Sequence, residues 1–323
     1  MAVMSALTAR RKGYFAPLFL PPAGRPSIGT EHGGLSDVLR RADRSDNLRS
    51  AMAVRTTMFD LTNRVALVTG GRSGIGRAIA AALAAHGARV LIGARSADEV
   101  EQASRELNQE AEGDDVNLKV AGIGLDVTRD ASVERAVRKA IDVFGSLDIL
   151  VNSAGIMLRT PTFDLTPEQF NELHDVHVTG TLRCAQAAGH LFREQHSGTI
   201  INIASLSAFV DLVEVTAYAA AKNAVLGLTR SLANEWAKHG IRTNAIAPGF
   251  IPTDLNRRLI ENTDRGRRII EGTPMGRFGT GEEIAGAAVY LASPSASFVN
   301  GHTLVVDGGF VACGVGDSVE GAG

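Results

Sequence analysis

From Phe59 onward, short apolar runs alternate with longer stretches of helical periodicity. Apolar segments at 64–69, 89–92, 118–125, 147–151, 199–203, 241–246 and 303–306 have the length and branching of strands. Between them, 74–86, 97–112, 132–144, 167–194, 215–239 and 282–291 carry apolar residues at helical spacing. Gly87, Gly145 and Gly240 close three of these helices. The strands are apolar throughout rather than alternating, so both faces of their sheet are expected to be covered. Alternation of such strands with helices predicts an α/β fold, a single Rossmann-type doubly wound domain with a seven-stranded parallel sheet.

Composition agrees with a globular domain. Of 323 residues, 45% are hydrophobic and 21% charged, near the usual averages. No apolar run approaches the roughly 18 residues of a membrane span, and the net charge of −2 gives no field for gripping nucleic acid. Cys184 and Cys313 are too few for a disulfide framework, which suits a reducing, cytoplasmic setting.

Residues 1–57 differ. Nine basic residues stand against four acids there, and Pro21, Pro22, Pro26, Gly24 and Gly29 break any pattern. This stretch reads as a disordered basic extension. Its abundant arginine suits a transit peptide, but the four acids argue against one. A folded domain is expected over 58–311 and a tail over 312–323.

Candidate chemistry begins where the first strand meets the first helix. Thr69-Gly70-Gly71-Arg72-Ser73-Gly74-Ile75-Gly76 is a GxxxGxG turn. Glycines at such a junction let a helix N-terminus approach a pyrophosphate. No Lys-Ser/Thr pair follows, so it is not a triphosphate loop.

Further along come Asp126-Val127, Asn152-Ser153-Ala154-Gly155, Ser205, Tyr218 with Lys222, and Pro248-Gly249. With the glycine turn, and in this order, they resemble the short-chain dehydrogenase/reductase family over about residues 59–311. The resemblance implies an oxidoreductase acting on a CH–OH group. Ser153 departs from the family's Asn-Asn-Ala-Gly. Tyr218 and Lys222 are four apart on one helix face. An ammonium about 4 Å from a phenol would lower its pKa toward the working range. The resemblance makes Tyr218 the acid/base, has Lys222 also hold the nicotinamide ribose, and puts Ser205 on the substrate oxygen, with Ser207 as competitor. His177 stands where the family has an asparagine that holds a relay water, and an imidazole can also donate and accept. His174 lies at metal-ligand spacing from His177, but no third ligand is apparent and no metal is expected.

At the end of the second strand, Ala94 replaces the acid that in this family grips the adenosine ribose, and Arg95 follows. A guanidinium pairs bidentately with phosphate, so NADP is expected, with NAD the alternative, and Arg72 adds a second cation. By resemblance, Gly70, Ser73, Gly74, Ile75 and Gly76 cradle the pyrophosphate, and Asp126 and Val127 flank the adenine. Asn152 and Ala154 line the cofactor path, and Pro248, Gly249, Ile251 and Thr253 cover the nicotinamide.

The segment 252–276 is where such folds place a substrate lid. Its Arg257, Arg258, Arg265, Arg267 and Arg268 read as a solvated helix face. The stretches 232–255 and 273–309 resemble bacterial gluconate 5-dehydrogenases and 2-deoxygluconate 3-dehydrogenases as a group. Arg159, just after the fourth strand, matches an arginine of that group and would bind a substrate carboxylate. A sugar acid or polyol is the implied small-molecule substrate. A 3-oxoacyl-carrier-protein reductase is the enzymatic alternative, and a nucleotide-binding sensor that has lost its chemistry is the non-enzymatic one. Resemblance also implies a homotetramer packed through the helices at 167–194 and 215–239.

Overall fold

The computed structural model describes residues 58–110, 119–254 and 256–313. The extension at 1–57 and the tail beyond Cys313 lie outside the described residues. The strands are β1 (Val65–Thr69), β2 (Arg89–Ala94), β3 (Val120–Gly124), β4 (Ile149–Asn152), β5 (Gly198–Ile203), β6 (Ile241–Pro248) and β7 (Thr303–Val306). They form one sheet in the order β3-β2-β1-β4-β5-β6-β7, with every neighbouring pair parallel. This is the expected seven-stranded parallel sheet. The strand order reverses between β1 and β4, so a crevice opens beyond their carboxyl ends, where such sheets bind ligands.

Helices cover both faces, and successive strand residues feed opposite cores. From β1, Ala66 and Val68 pack on one side with Ile79 and Leu83 of α1 (Gly74–Ala85), Val100 and Leu107 of α2 (Ala97–Glu110), and Ile284 of α9 (Gly281–Ala292). Val65 and Leu67 pack on the other with Val133 and Phe144 of α3 (Asp130–Phe144), Ala188 and Phe192 of α5 (Gly180–Gln195), and Leu232 of α6 (Thr216–Trp236). Double-sided burial explains why the strands are mostly apolar, with Asn202 and Asn244 among the buried polar exceptions.

One stretch differs from the sequence expectation. The single helix expected over 167–194 is α4 (Pro167–His174), then a π-turn at Asp175–Thr179, then α5. Its start is well specified, since Thr166 and Gln169 form a capping box with Pro167 in the first turn. The Gly180 N–H reaches back to the Asp175 carbonyl, and the Thr181 hydroxyl donates to the His177 carbonyl at 2.7 Å. The wider turn falls on His177, and such bulges often mark functional sites. The expected lid segment contains two helices, α7 (Arg257–Ile260) and α8 (Asp264–Glu271), which carry the arginine run. Gly266 lies within the latter. A Cβ there would come within 1.7 Å of the Ile260 carbonyl oxygen, so this glycine allows close packing inside a helix.

Candidate active site

The glycine turn is built for close approach. The Gly70 φ is +68°, and a Cβ there would meet the Ser153 carbonyl and Ala154 backbone at 2.9 Å. At Gly76 a Cβ would come within 2.3 Å of the Gly70 carbonyl oxygen. The Thr69 hydroxyl accepts from the N–H groups of Ser153 and Ala154, both at 3.0 Å, so the loops after β1 and β4 are tied together. Ser73 precedes α1 without capping it, which leaves the amides of Gly74, Ile75 and Gly76 available to an anion. Gly74 faces the Thr253 side chain across the crevice. Asn152 Nδ2 donates to Asn202 Oδ1 at 2.9 Å, while Asn152 Oδ1 is buried without a partner. A glycine cradle, an uncapped helix start and an orphaned buried oxygen fit a dinucleotide.

Around that cradle, Arg95 is exposed just past β2. Arg72 pairs at 3.4 Å with Glu99 in the first turn of α2. Asp126 is held below the usual carboxylate range by hydrogen bonds from Thr128, and its backbone N–H is fixed by Ser132. Val127 is buried, and its carbonyl accepts from Arg183 at 2.7 Å. Pro248 ends β6, and the Gly249 N–H donates to the Val306 carbonyl at 2.9 Å. Ile251 is buried, and Thr253 N–H donates to Asn256 Oδ1 at 2.8 Å.

Ser205, Tyr218, Arg159 and Arg265 line one cavity between the loop after β5 and the lid. Ser205 follows β5, and its oxygen accepts from the Ser207 N–H at 3.2 Å. Ser207 is buried and does not reach the cavity. Lys222 is one turn beyond Tyr218 on α6 and donates to the Ile203 carbonyl at 2.6 Å. Its Nζ sits 5.5 Å from the Tyr218 ring centroid. The His177 ring meets the Tyr218 ring edge-on at 5.3 Å.

The electrostatics correct one expectation. Lys222 was expected to draw the Tyr218 phenol down. Burial instead pushes Tyr218 above its ordinary value, with a Ser205 hydrogen bond opposing. Burial also pushes Lys222 down to about 7. Desolvation penalises phenolate and ammonium alike, so the lysine is too weakly charged to offset it. His177 is held at about 3 by burial first and by Lys222 next, so its imidazole is neutral. His177 Nε2 is 2.8 Å from the Ile156 carbonyl oxygen and 3.2 Å from the Ile156 nitrogen. The shorter contact fits a protonated Nε2 and leaves Nδ1, buried and unpartnered, as an acceptor. Gly155 makes room for the ring, since a Cβ there would lie 2.6 Å from His177 Cε1. His174 bonds the Phe170 carbonyl and stacks on the Phe170 ring, and no metal-binding group occurs among the described residues.

Sequence reasoning missed several contributors. Arg265 belongs to the cavity wall, whereas its neighbours Arg257 and Arg267 pair in solvent with Glu261 and Asp264. Arg159 lines the cavity as expected, but its Nε is engaged by Glu214. Asn202 and Thr229 continue the polar ladder from Asn152, with Asn202 Nδ2 donating to Thr229 Oγ1 at 3.0 Å. An asparagine inside the apolar run Ile200–Ile203 was the available signal.

A doubly wound sheet with a glycine cradle at its switch point, and a serine, tyrosine and lysine beside it, defines a dinucleotide-dependent oxidoreductase. A family model described as enoyl-(acyl carrier protein) reductase matches residues 70–311. The chain belongs to the short-chain dehydrogenase/reductase family, and it is an enzyme of that family acting on CH–OH groups. A 2-dehydro-3-deoxy-D-gluconate 5-dehydrogenase of Dickeya dadantii is 36% identical over 79% of this chain and 98% of its own. A D-threitol dehydrogenase of Mycolicibacterium smegmatis is 38% identical over 78% of this chain and 94% of its own. A gluconate 5-dehydrogenase from Burkholderia cenocepacia, solved in complex with NADP and tartrate, superposes with a TM-score of 0.76. That structure is 35% identical and covers 80% of this chain and 100% of its own.

Proposed function

We propose that the protein is an NADP-dependent dehydrogenase that interconverts a secondary alcohol and a ketone on a gluconate-like sugar acid or related polyol. One observation carries this reading: Ser205 and Tyr218 share a cavity with Arg159 and Arg265 beside the nucleotide cradle. A proton-transfer pair and carboxylate-binding forks thus face the same space. The sugar-acid and polyol relatives support the substrate class.

In this reading NADP, held in the glycine cradle, would supply or accept the hydride when bound, and the residues of the chain do the rest. Tyr218 Oη moves the proton to or from the substrate oxygen, and Ser205 Oγ holds that oxygen. The Lys222 ammonium, when protonated, favours the phenolate and holds the nicotinamide ribose. His177 positions the Tyr218 ring, and its Nδ1 can accept in the proton path toward Lys222. Gly70, Gly74, Ile75 and Gly76 with Ser73 receive the pyrophosphate, with Asp126, Val127, Asn152, Ala154, Pro248, Gly249, Ile251 and Thr253 around the rest of the dinucleotide. Arg159 and Arg265 orient the carboxylate. Turnover of D-gluconate or a neutral polyol with NADP tests the reading, and no activity on either class defeats it.

Arg95 is assigned to the 2′-phosphate of NADP, with Arg72 as its neighbour. A charge-assisted hydrogen bond is worth roughly 1.5–3 kcal/mol. Arg95→Ala should therefore lower kcat/KM with NADP by about ten- to a hundredfold while barely changing the value with NAD. A wild-type preference for NAD, or equal losses with both, would remove the assignment.

The enzyme is further proposed to be a cytoplasmic homotetramer. Both cysteines are free thiols, and among the described residues no helix is long and apolar enough to cross a membrane. The exposed outer faces of α5 and α6 are the proposed contact. Light scattering should give four times the chain mass, and a monomer at working concentration would refute the assembly.

A further inference from the structure

Arg159 and Arg265 are the charged side chains in the lining of the substrate cavity. They come from different elements, the loop after β4 and α8 on the lid. The Arg265 pKa is lowered first by burial and next by repulsion from Arg159, while Glu214 opposes both. Glu214 accepts from Arg159 Nε, and the pair is only partly exposed, 40% for the arginine and 30% for the glutamate. The Glu214 backbone is held too, because its carbonyl accepts from the Thr160 N–H at 2.8 Å. Its φ is +68°, in the left-handed region that side-chain-bearing residues seldom use. Such conformations persist where the surroundings fix them, often at functional sites. Thus a carboxylate carried on a left-handed backbone is fixed against one of two cations that share the cavity with Ser205 and Tyr218.

Building on the sugar-acid reading, we propose that Glu214 sets the charge preference of this cavity. It neutralises one arginine, leaving one net positive charge for a substrate carboxylate, and so keeps neutral polyols competitive with sugar acids. The effect acts through Arg159, so Glu214 is a specificity-setting and positioning residue rather than a catalytic one. The cleft is open enough for salt to screen these charges in part, so removing one changes anion binding measurably and in a salt-dependent way.

The test compares kcat/KM for D-gluconate and D-sorbitol with NADP in wild type, Glu214→Gln and Arg265→Gln. In Glu214→Gln the acid-to-polyol ratio should rise about tenfold, and the acid's kcat/KM should fall more steeply with added salt than in wild type. In Arg265→Gln the ratio should fall by a similar factor. An unchanged or lowered ratio in Glu214→Gln overturns the proposal, as does an equal loss on both substrates. Glu214→Gly serves if the glutamine variant misfolds, because glycine adopts this φ without strain. If wild type turns over neither substrate, the sugar-acid reading falls by itself. Calorimetric binding of tartrate to the NADP complex then decides the role of Glu214: about tenfold tighter binding in the variant supports it, and equal binding overturns it.

Discussion

Tyr218→Phe should lose turnover by a thousandfold or more, near the upper part of the 10²–10⁴ range for a positioned proton-transfer group, while NADP affinity stays close to wild type. The variant removes one oxygen and keeps the ring, so the edge-on packing on His177 survives. The polar contact it gives up is that with Ser205, and Ser205 still accepts from Ser207 N–H. Burial holds the phenol above its ordinary pKa, so at neutral pH the chain's own groups leave Tyr218 protonated. That form donates to a ketone oxygen. Alcohol oxidation needs the phenolate, so kcat/KM in that direction should rise with pH toward the alkaline side in wild type and lose this rise in Tyr218→Phe. Steady-state rates in both directions, with fluorescence titration of NADPH, check this. Residual activity above a few per cent, or a retained alkaline rise, would mean another group moves the proton.

Why the fold was so legible follows from the strands. Most are apolar on both faces because helices cover both sides, so strand and helix periods seldom compete, although β5 and β6 also bury polar residues such as Asn202 and Asn244. The glycine turn was equally plain, since its spacing reflects backbone collisions visible at Gly70 and Gly76. Less legible were features fixed by long-range packing. The π-turn at His177 depends on room left by Gly155, 22 residues upstream in sequence, and on a threonine that satisfies the displaced carbonyl. Arg265 looked like one more charge in a basic run, and only the fold of the lid turns it inward while Arg257 and Arg267 stay in solvent. Glu214 carried no sequence signal, because its partner Arg159 lies 55 positions away. The phenol was misjudged for a related reason. Helical spacing places Lys222 near Tyr218, but burial decides how much charge the lysine keeps.

That burial makes Lys222→Met the second large effect, with activity and stability moving in opposite directions. Lys222 is 5% exposed, and its pKa falls from 10.5 to about 7. The unfolded chain therefore takes up a proton as pH falls through the range below 10.5, while the folded chain resists until about 7. Over that window the unfolded state binds more protons, so wild-type stability declines as pH falls and levels off below about 7. At roughly 1.4 kcal/mol per pKa unit, the shift amounts to several kcal/mol at neutral pH. Methionine has no charge to desolvate and fills a similar volume. It does abandon the Ile203 carbonyl, which accepts from Lys222 Nζ at 2.6 Å, and an unsatisfied buried acceptor costs about 1–3 kcal/mol. Lys222→Met should therefore be more stable than wild type at pH 7 by about 2 kcal/mol, with the advantage shrinking toward zero by about pH 9. Turnover should drop at least a hundredfold, because no ammonium remains to favour the phenolate or hold the ribose. Urea denaturation of both proteins at several pH values, without NADP, measures the first part, and kcat/KM measures the second. A stability difference that does not vary with pH would show that the Lys222 charge is compensated in the fold. Retained turnover would separate this buried lysine from the chemistry at Tyr218.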